Sequence, residues 1–161
     1  IELFSDRMEI TNPGKPMVSP DRFLDLPPRS RNEALASLMR RMRLCEEQGT
    51  GIDRVIFHVE LHQLPPPDFR TEGDAVRTVL FAPRRFAEMT PDERIRACYQ
   101  HAALRFVSGE RMKNSTLCER FGIEPQNASQ ASVIIGQCQK AGLIRPADPA
   151  HPRSGYVPFW A

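Results

Sequence analysis

The sequence predicts an α+β chain in two parts, a mixed strand-and-helix region over residues 1–85 and a helix-led unit over 90–161. Three observations carry this. Apolar and polar residues alternate with period two near both ends of the first part, as half-buried strands require. Elsewhere apolar residues recur at three- and four-residue steps, which lines up one face of a helix. Between the parts stands a fresh helix start, Thr90-Pro91-Asp92-Glu93. There Thr90 and Glu93 form a capping box and Pro91 takes the first helical position.

Residues 1–11 read as two short strands around Ser5-Asp6-Arg7, with Met8 and Ile10 alternating with Glu9 and Thr11. Asn12-Pro13-Gly14 breaks the second strand: proline lacks a donor and glycine permits a left-handed turn. Four prolines within 15–30 predict a long loop with one turn around Asp21–Leu26. A helix over 31–44 follows, capped by Asn32, with Leu35, Leu38, Met39 and Met42 on one face and Arg40, Arg41 and Arg43 elsewhere. The arginine cluster reads either as a phosphate contact or as a solvated face. Gly49-Thr50-Gly51 leads into a second helix from about Ile52 to His62, with Ile52, Val55, Ile56 and Val59 as its stripe. A Gly-x-Gly at a helix start lets backbone N–H groups approach an anion. It also serves as a plain helix–helix connection. His58 and His62 have metal-sharing spacing but no third ligand nearby, so no metal site is expected.

Pro65-Pro66-Pro67 ends that helix, and strands follow from Phe69 to Phe81 with a turn at Gly73-Asp74. Pro83 to Met89 reads as a linker. Residues 91–107 form a helix with Ile95, Cys98, Tyr99, Ala102 and Phe106 inward. A short helix from Asn114 stops at Gly122. The third helix of this unit is expected to open at Asn127, with Gln130 completing its cap, and to bury Ala131, Ile134, Ile135 and Cys138. Leu143-Ile144-Arg145 and Tyr156–Trp160 read as two strands around a Pro-rich loop.

Three helices, a short connection between the last two, and a terminal hairpin together make the winged helix-turn-helix arrangement. On its third helix, exposed amides can read adenine edges bidentately. Candidate DNA-contacting residues are therefore Asn127, Ser129, Gln130, Val133 and Gln137, with Arg145, His151 and Arg153 on the hairpin placed for phosphates. The competing reading is a winged helix used for protein contact.

Composition sets the outer bounds. A hydrophobic fraction of 40 % and a charged fraction of 26 % are ordinary for a soluble globular chain. No apolar run approaches the roughly 20 residues that a membrane span needs. The four cysteines are scattered with no C-x-x-C pair, which points to reduced buried thiols in a cytoplasmic protein rather than to zinc. A net charge of +2 is a weak electrostatic signature, and the excess of Lys and Arg falls after residue 89. The chain opens on Ile1 in what reads as a strand, so a piece of a longer protein is expected.

Several longer stretches add a resemblance. Phe4-Ser5-Asp6-Arg7-Met8-Glu9-Ile10-Thr11-Asn12-Pro13-Gly14, then Arg31-Asn32, then Glu47-Gln48-Gly49-Thr50-Gly51-Ile52 resemble the C-terminal part of the RecG-related, AlbA/Schlafen-type transcriptional regulators. Glu93-Arg94-Ile95-Arg96-Ala97-Cys98-Tyr99-Gln100-His101 and Tyr156-Val157-Pro158-Phe159-Trp160 are similar too. The resemblance covers nearly the whole chain. It implies a partial GHKL-like α/β sandwich, the remnant of a divergent ATPase domain, followed by a winged helix-turn-helix domain. In that fold Asn12 and Gly14 belong to a degenerate nucleotide loop, and Gly49, Thr50 and Gly51 to the glycine-rich phosphate loop.

This sequence departs from the implied pattern in two ways. The helix that supplies the magnesium-binding Asn normally precedes the first strand, where this chain begins. The loop at 11–14 also lacks the Asp that reads the adenine amine, leaving Thr11 or Asn12. No catalytic residue or metal ligand is therefore assigned, no cofactor is expected in this piece, and hydrolysis of ATP is not expected. ATP with magnesium belongs to the intact protein as the alternative reading. No G-x-x-x-x-G-K-[ST] loop supports a helicase motor. The expected partners are double-stranded DNA and a second copy of the chain, through apolar sheet surface left bare by the missing helix. A pure assembly domain is the third reading.

Overall fold

The computed structural model describes residues 1–27, 29–44, 51–151 and 154–161. Its first part is a four-stranded antiparallel sheet with helices beside it. The strands are β1 (Glu2–Leu3), β2 (Arg7–Pro13), β3 (Asp68–Glu72) and β4 (Ala75–Phe81), in the order β1-β2-β4-β3. The hairpin expected at residues 1–11 forms, with Leu3 opposite Met8. Pairing of β2 with β4 continues through Pro13 opposite Ala75, so the strand ends only at Gly14, where φ is +100°.

The register puts Arg7, Glu9, Arg70, Arg77 and Val79 on one face of the sheet. Glu9 is buried there between two cations, accepting from Arg7 Nε at 2.6 Å and Arg77 Nη1 at 2.9 Å. The Arg7 hydrogen bond holds the Glu9 carboxyl below the usual carboxylate range. Burial opposes that, while the charges of Arg7, Arg77 and Arg70 reinforce it. A lowered carboxylate pKa contributes stability above the unfolded pKa, and that contribution is lost as pH falls through the folded value.

The helices of this part are α1 (Glu33–Arg41) and α2 (Gly51–Leu61). Asn32 caps α1 as its residue type predicts, its side chain accepting from the Leu35 N–H at 3.0 Å. The α1 stripe forms but faces solvent: Leu35, Leu38, Met39 and Met42 are all exposed. Helix α2 buries Ile56 and Val59, and its Val55 and Val59 share a cleft with Leu80 of β4. His58 and His62 stack with centroids 6.4 Å apart, and no metal-binding group exists among the described residues.

The segment 83–89 is a packed turn. A 3-10 turn at Phe86–Glu88 brings Phe86 onto Phe121, with centroids 4.9 Å apart, and Met89 is buried. Then come α3 (Pro91–Val107), α4 (Asn114–Phe121), α5 (Ser129–Lys140), β5 (Ile144–Pro146) and β6 (Tyr156–Pro158). The Thr90–Glu93 capping box is present in full. One apolar core joins these elements, built from Cys98 and Ala102 of α3, Leu117 and Phe121 of α4, and Ala131, Ile134, Ile135 and Cys138 of α5. Cys98, Cys118 and Cys138 are free and buried, as expected; Cys45 lies outside the described residues. No described helix is long and apolar enough to cross a membrane.

Three local expectations need correction. Helix α5 opens at Ser129, not Asn127, and no side chain caps it. A 3-10 turn at Pro125–Asn127 feeds straight into it, with Ala128 already in the helical region, so no extended cap residue exists. Phe106 is 37 % exposed rather than inward, set edge-on to Trp160 with centroids 5.4 Å apart. The last strand stops at Pro158, which has no N–H to extend the ladder.

The two parts are sewn together by buried polar groups. Gln100 Nε2 donates to the Pro67 carbonyl at 2.9 Å, and Arg120 Nη2 to the Leu64 carbonyl at 2.7 Å. His101 Nδ1 lies 2.9 Å from Glu60 Oε2, and its Nε2 lies 3.0 Å from the Thr116 hydroxyl. The Tyr99 hydroxyl donates to the Asp21 carbonyl and accepts from Trp160 Nε1 at 3.0 Å. Burial lowers the Arg120 pKa, with Glu60 opposing. The sequence periods account for the apolar layers; these long-range polar pairs fix how the layers meet.

Candidate functional site

Helix α5 has two unlike faces, and its sequence decides which residues go where. Ala131, Ile134, Ile135 and Cys138 recur at helical spacing and are buried. The same period turns Ser129, Gln130, Val133 and Gln137 outward, and all four are exposed. Val133 is 60 % exposed, high for an aliphatic side chain in a helix that packs well elsewhere. Asn127 is exposed in the turn just before.

Arg145 is exposed on β5, where its Nη2 donates to the Ala161 carbonyl. His151 is exposed and its Nδ1 lies 2.9 Å from Asp148 Oδ2. Arg153 lies outside the described residues. Sequence reasoning passed over Arg111, Lys113 and Lys140, all exposed in the same unit. Scattered single cations carry no motif, so only the fold could group them. Chemically, the outward face of α5 offers amide donors and acceptors and small side chains.

A second surface lies at the start of α2. A cleft of about 690 Å³ runs between the 15–31 loop and the first turn of that helix. Lys15, Arg29 and Arg31 rim it, and Val18, Phe23 and Ile52 line its apolar part. Gly51 lies in the lining, while Gly49 and Thr50 lie outside the described residues. Asn12 sits on β2 opposite Val76, away from the lining, and Gly14 lies beside the Arg31 guanidinium. Arg31 Nη2 is engaged with the Lys15 carbonyl, and Lys15 Nζ lies 3.2 Å from Asp74.

An acid shares the first turn of α2 with Gly51 and Ile52, outside the cleft lining. Asp53 stands in the first turn of α2, and burial raises its pKa. Its Oδ1 is buried with no hydrogen-bond partner among the described residues. A carboxylate there competes with any anion for the positive helix end. The cationic rim escaped sequence reasoning because its members are spread through a Pro-rich loop without a repeat.

No curated protein and no solved structure matches the chain. Residues 1–80, just short of half of it, match the family described as "Putative ATP-dependent DNA helicase recG C-terminal". The first part of this α+β chain is therefore similar to a RecG-related, ATPase-like region.

Proposed function

We propose that this protein is a DNA-binding module, the duplex-contacting end of a transcriptional regulator, with a degenerate nucleotide-binding fold beside it. In this reading α3, α4 and α5 with the β5–β6 ribbon form a winged helix-turn-helix. The observation that carries it is the outward face of α5. Ser129, Gln130, Val133 and Gln137 are free of the joint to the first part, so a groove can reach them. Gln pairs bidentately with adenine, and Val133 offers an apolar contact to a thymine methyl. Arg111, Lys113, Lys140 and Arg145 are exposed in the same unit and would supply the phosphate contacts on which affinity rests.

Fluorescence anisotropy with a labelled mixed-sequence duplex tests this. Val133→Asp places a negative charge against the phosphates and is expected to weaken binding at least about tenfold. Because Val133 is solvent-facing, the thermal midpoint should barely move. Unchanged affinity in this variant would remove α5 as the reading helix.

A second reading concerns nucleotide binding in the intact protein. The family match over 1–80 and the cleft at α2 favour it: the rim suits phosphates and the apolar floor suits a base. Calorimetric titration of ATP–magnesium checks it. Gly51→Asp, at a position with open space around the Cα, should abolish any heat of binding by setting a carboxylate against the phosphates. A heat signature unaffected by that change would place the nucleotide elsewhere or nowhere.

A further inference from the structure

Helix α5 begins without a side-chain cap of its own, yet it is the helix on which the DNA reading depends. What fixes its first turn comes from α4. Asn114, the first residue of α4, donates from Nδ2 to the Ala128 carbonyl at 3.1 Å and to Ser132 Oγ at 2.9 Å. Its Oδ1 accepts from the Cys118 thiol, one helical turn along α4, at 3.5 Å. Both donors and the acceptor of the carboxamide are therefore in use, which leaves one orientation that satisfies them together. Ala128 is the residue from which α5 springs, and its carbonyl also takes the Ser132 N–H at 3.3 Å. One side chain thus clamps the entry residue and the first turn together.

We propose that Asn114 is a positioning residue for DNA recognition, setting the angle at which α5 meets the duplex through its Ala128 and Ser132 bonds. This rests on the DNA reading above. Its geometry is independent of DNA, so the two can fail separately. Residues 122–128 join α4 to α5 through a single 3-10 turn, and among the described residues the side-chain hydrogen bonds from α4 to the amino end of α5 come from Asn114. The apolar stripe of α5 fixes which face is buried; it does not fix the tilt of the first turn, where Ser129 and Gln130 sit exposed. A base-reading helix needs that tilt held closely, because a misaligned amide forfeits its bidentate pair.

Asn114→Asp separates positioning from folding. The carboxylate is isosteric and suits the first turn of α4, where negative charge is favoured. It cannot donate to the Ala128 carbonyl. The favoured charge offsets part of the lost hydrogen bonding, so the thermal midpoint should fall by no more than a few degrees, while affinity for the best duplex falls about tenfold. Affinity for competitor DNA should fall much less, by only the through-space cost of one added negative charge, and the salt slope should stay the same, since no phosphate contact is removed. A merely structural role would instead move the midpoint and both affinities together.

Amide hydrogen exchange on the free protein gives a readout without DNA. Asn114→Asp should speed exchange in the first turn of α5, at Ser132 above all, and leave the Ile135–Lys140 turns protected. Unchanged exchange at Ser132 would overturn the clamp, whatever the DNA result. Faster exchange with unchanged discrimination between duplexes would overturn the role in recognition. If the wild type discriminates between no duplexes, the DNA reading fails and the recognition role with it, while the exchange result still decides the clamp.

Discussion

Replacing Leu117 by alanine should cost about 2–5 kcal/mol of folding stability, the range for a fully buried leucine that leaves a cavity. Leu117 is 0 % exposed, on α4, within the core shared by α3 and α5. That core includes Cys98, Ala102, Ala131 and Cys138, which are short or small and ill-suited to fill the space. Backbone ladders on α3 and α5 hold the surrounding positions, so collapse around the cavity is limited. Urea unfolding checks this: the midpoint should drop with an unchanged slope, since the surface exposed on unfolding stays the same. A loss under about 0.5 kcal/mol, typical of surface sites, would mean that the helix unit is not packed through α4.

Gly155→Ala should be nearly as damaging for a different reason. Gly155 is buried just before β6 with φ at +109°, a conformation that L side chains rarely adopt. An added Cβ would lie 2.8 Å from the Met112 carbonyl oxygen and 3.0 Å from Arg111 Cβ. Backbone cannot swing aside as a flexible side chain can. The displaced carbonyl also accepts the Tyr156 N–H at 2.8 Å, one half of the bridge that ties the ribbon to the α3–α4 connection. Strain and lost pairing together should cost about 2 kcal/mol or more. Gly109→Ala is the control: its φ is +78°, but nothing lies within 4 Å of the added atom. That change should cost only the conformational penalty, about 1 kcal/mol. Equal losses in the two variants, read by thermal unfolding, would show that the Met112 contact carries no weight.

Much of the fold was legible in local signals. The Thr90–Glu93 box, the Gly122 helix end and the stripe of α5 are all encoded within a few residues of where they act. The hairpins at 1–11 and 69–81 follow from alternation and a turn, again local. What was not legible depends on partners far along the chain. Gln100, His101 and Arg120 look like surface polar residues in the sequence and are buried because Pro67, Glu60 and Leu64 meet them. The α1 stripe has the period of a buried helix, yet periodicity cannot say whether a partner surface is present, and here it is exposed. The α5 cap was misplaced because Asn127 has the right chemistry, while Pro125 upstream commits the backbone to a turn that needs no cap. At the candidate sites, sequence period sufficed for the α5 face. It did not suffice for the cationic rim of Lys15, Arg29 and Arg31, which a proline-rich loop assembles without any repeat.

The most direct test is a two-dimensional amide NMR titration of isotope-labelled protein with an unlabelled mixed-sequence duplex. The account predicts shift changes concentrated at Asn127, Ser129, Gln130, Val133 and Gln137, with weaker ones at Lys140 and Arg145. Changes confined to the Lys15–Arg31 cleft or to α1, with α5 unmoved, would contradict it.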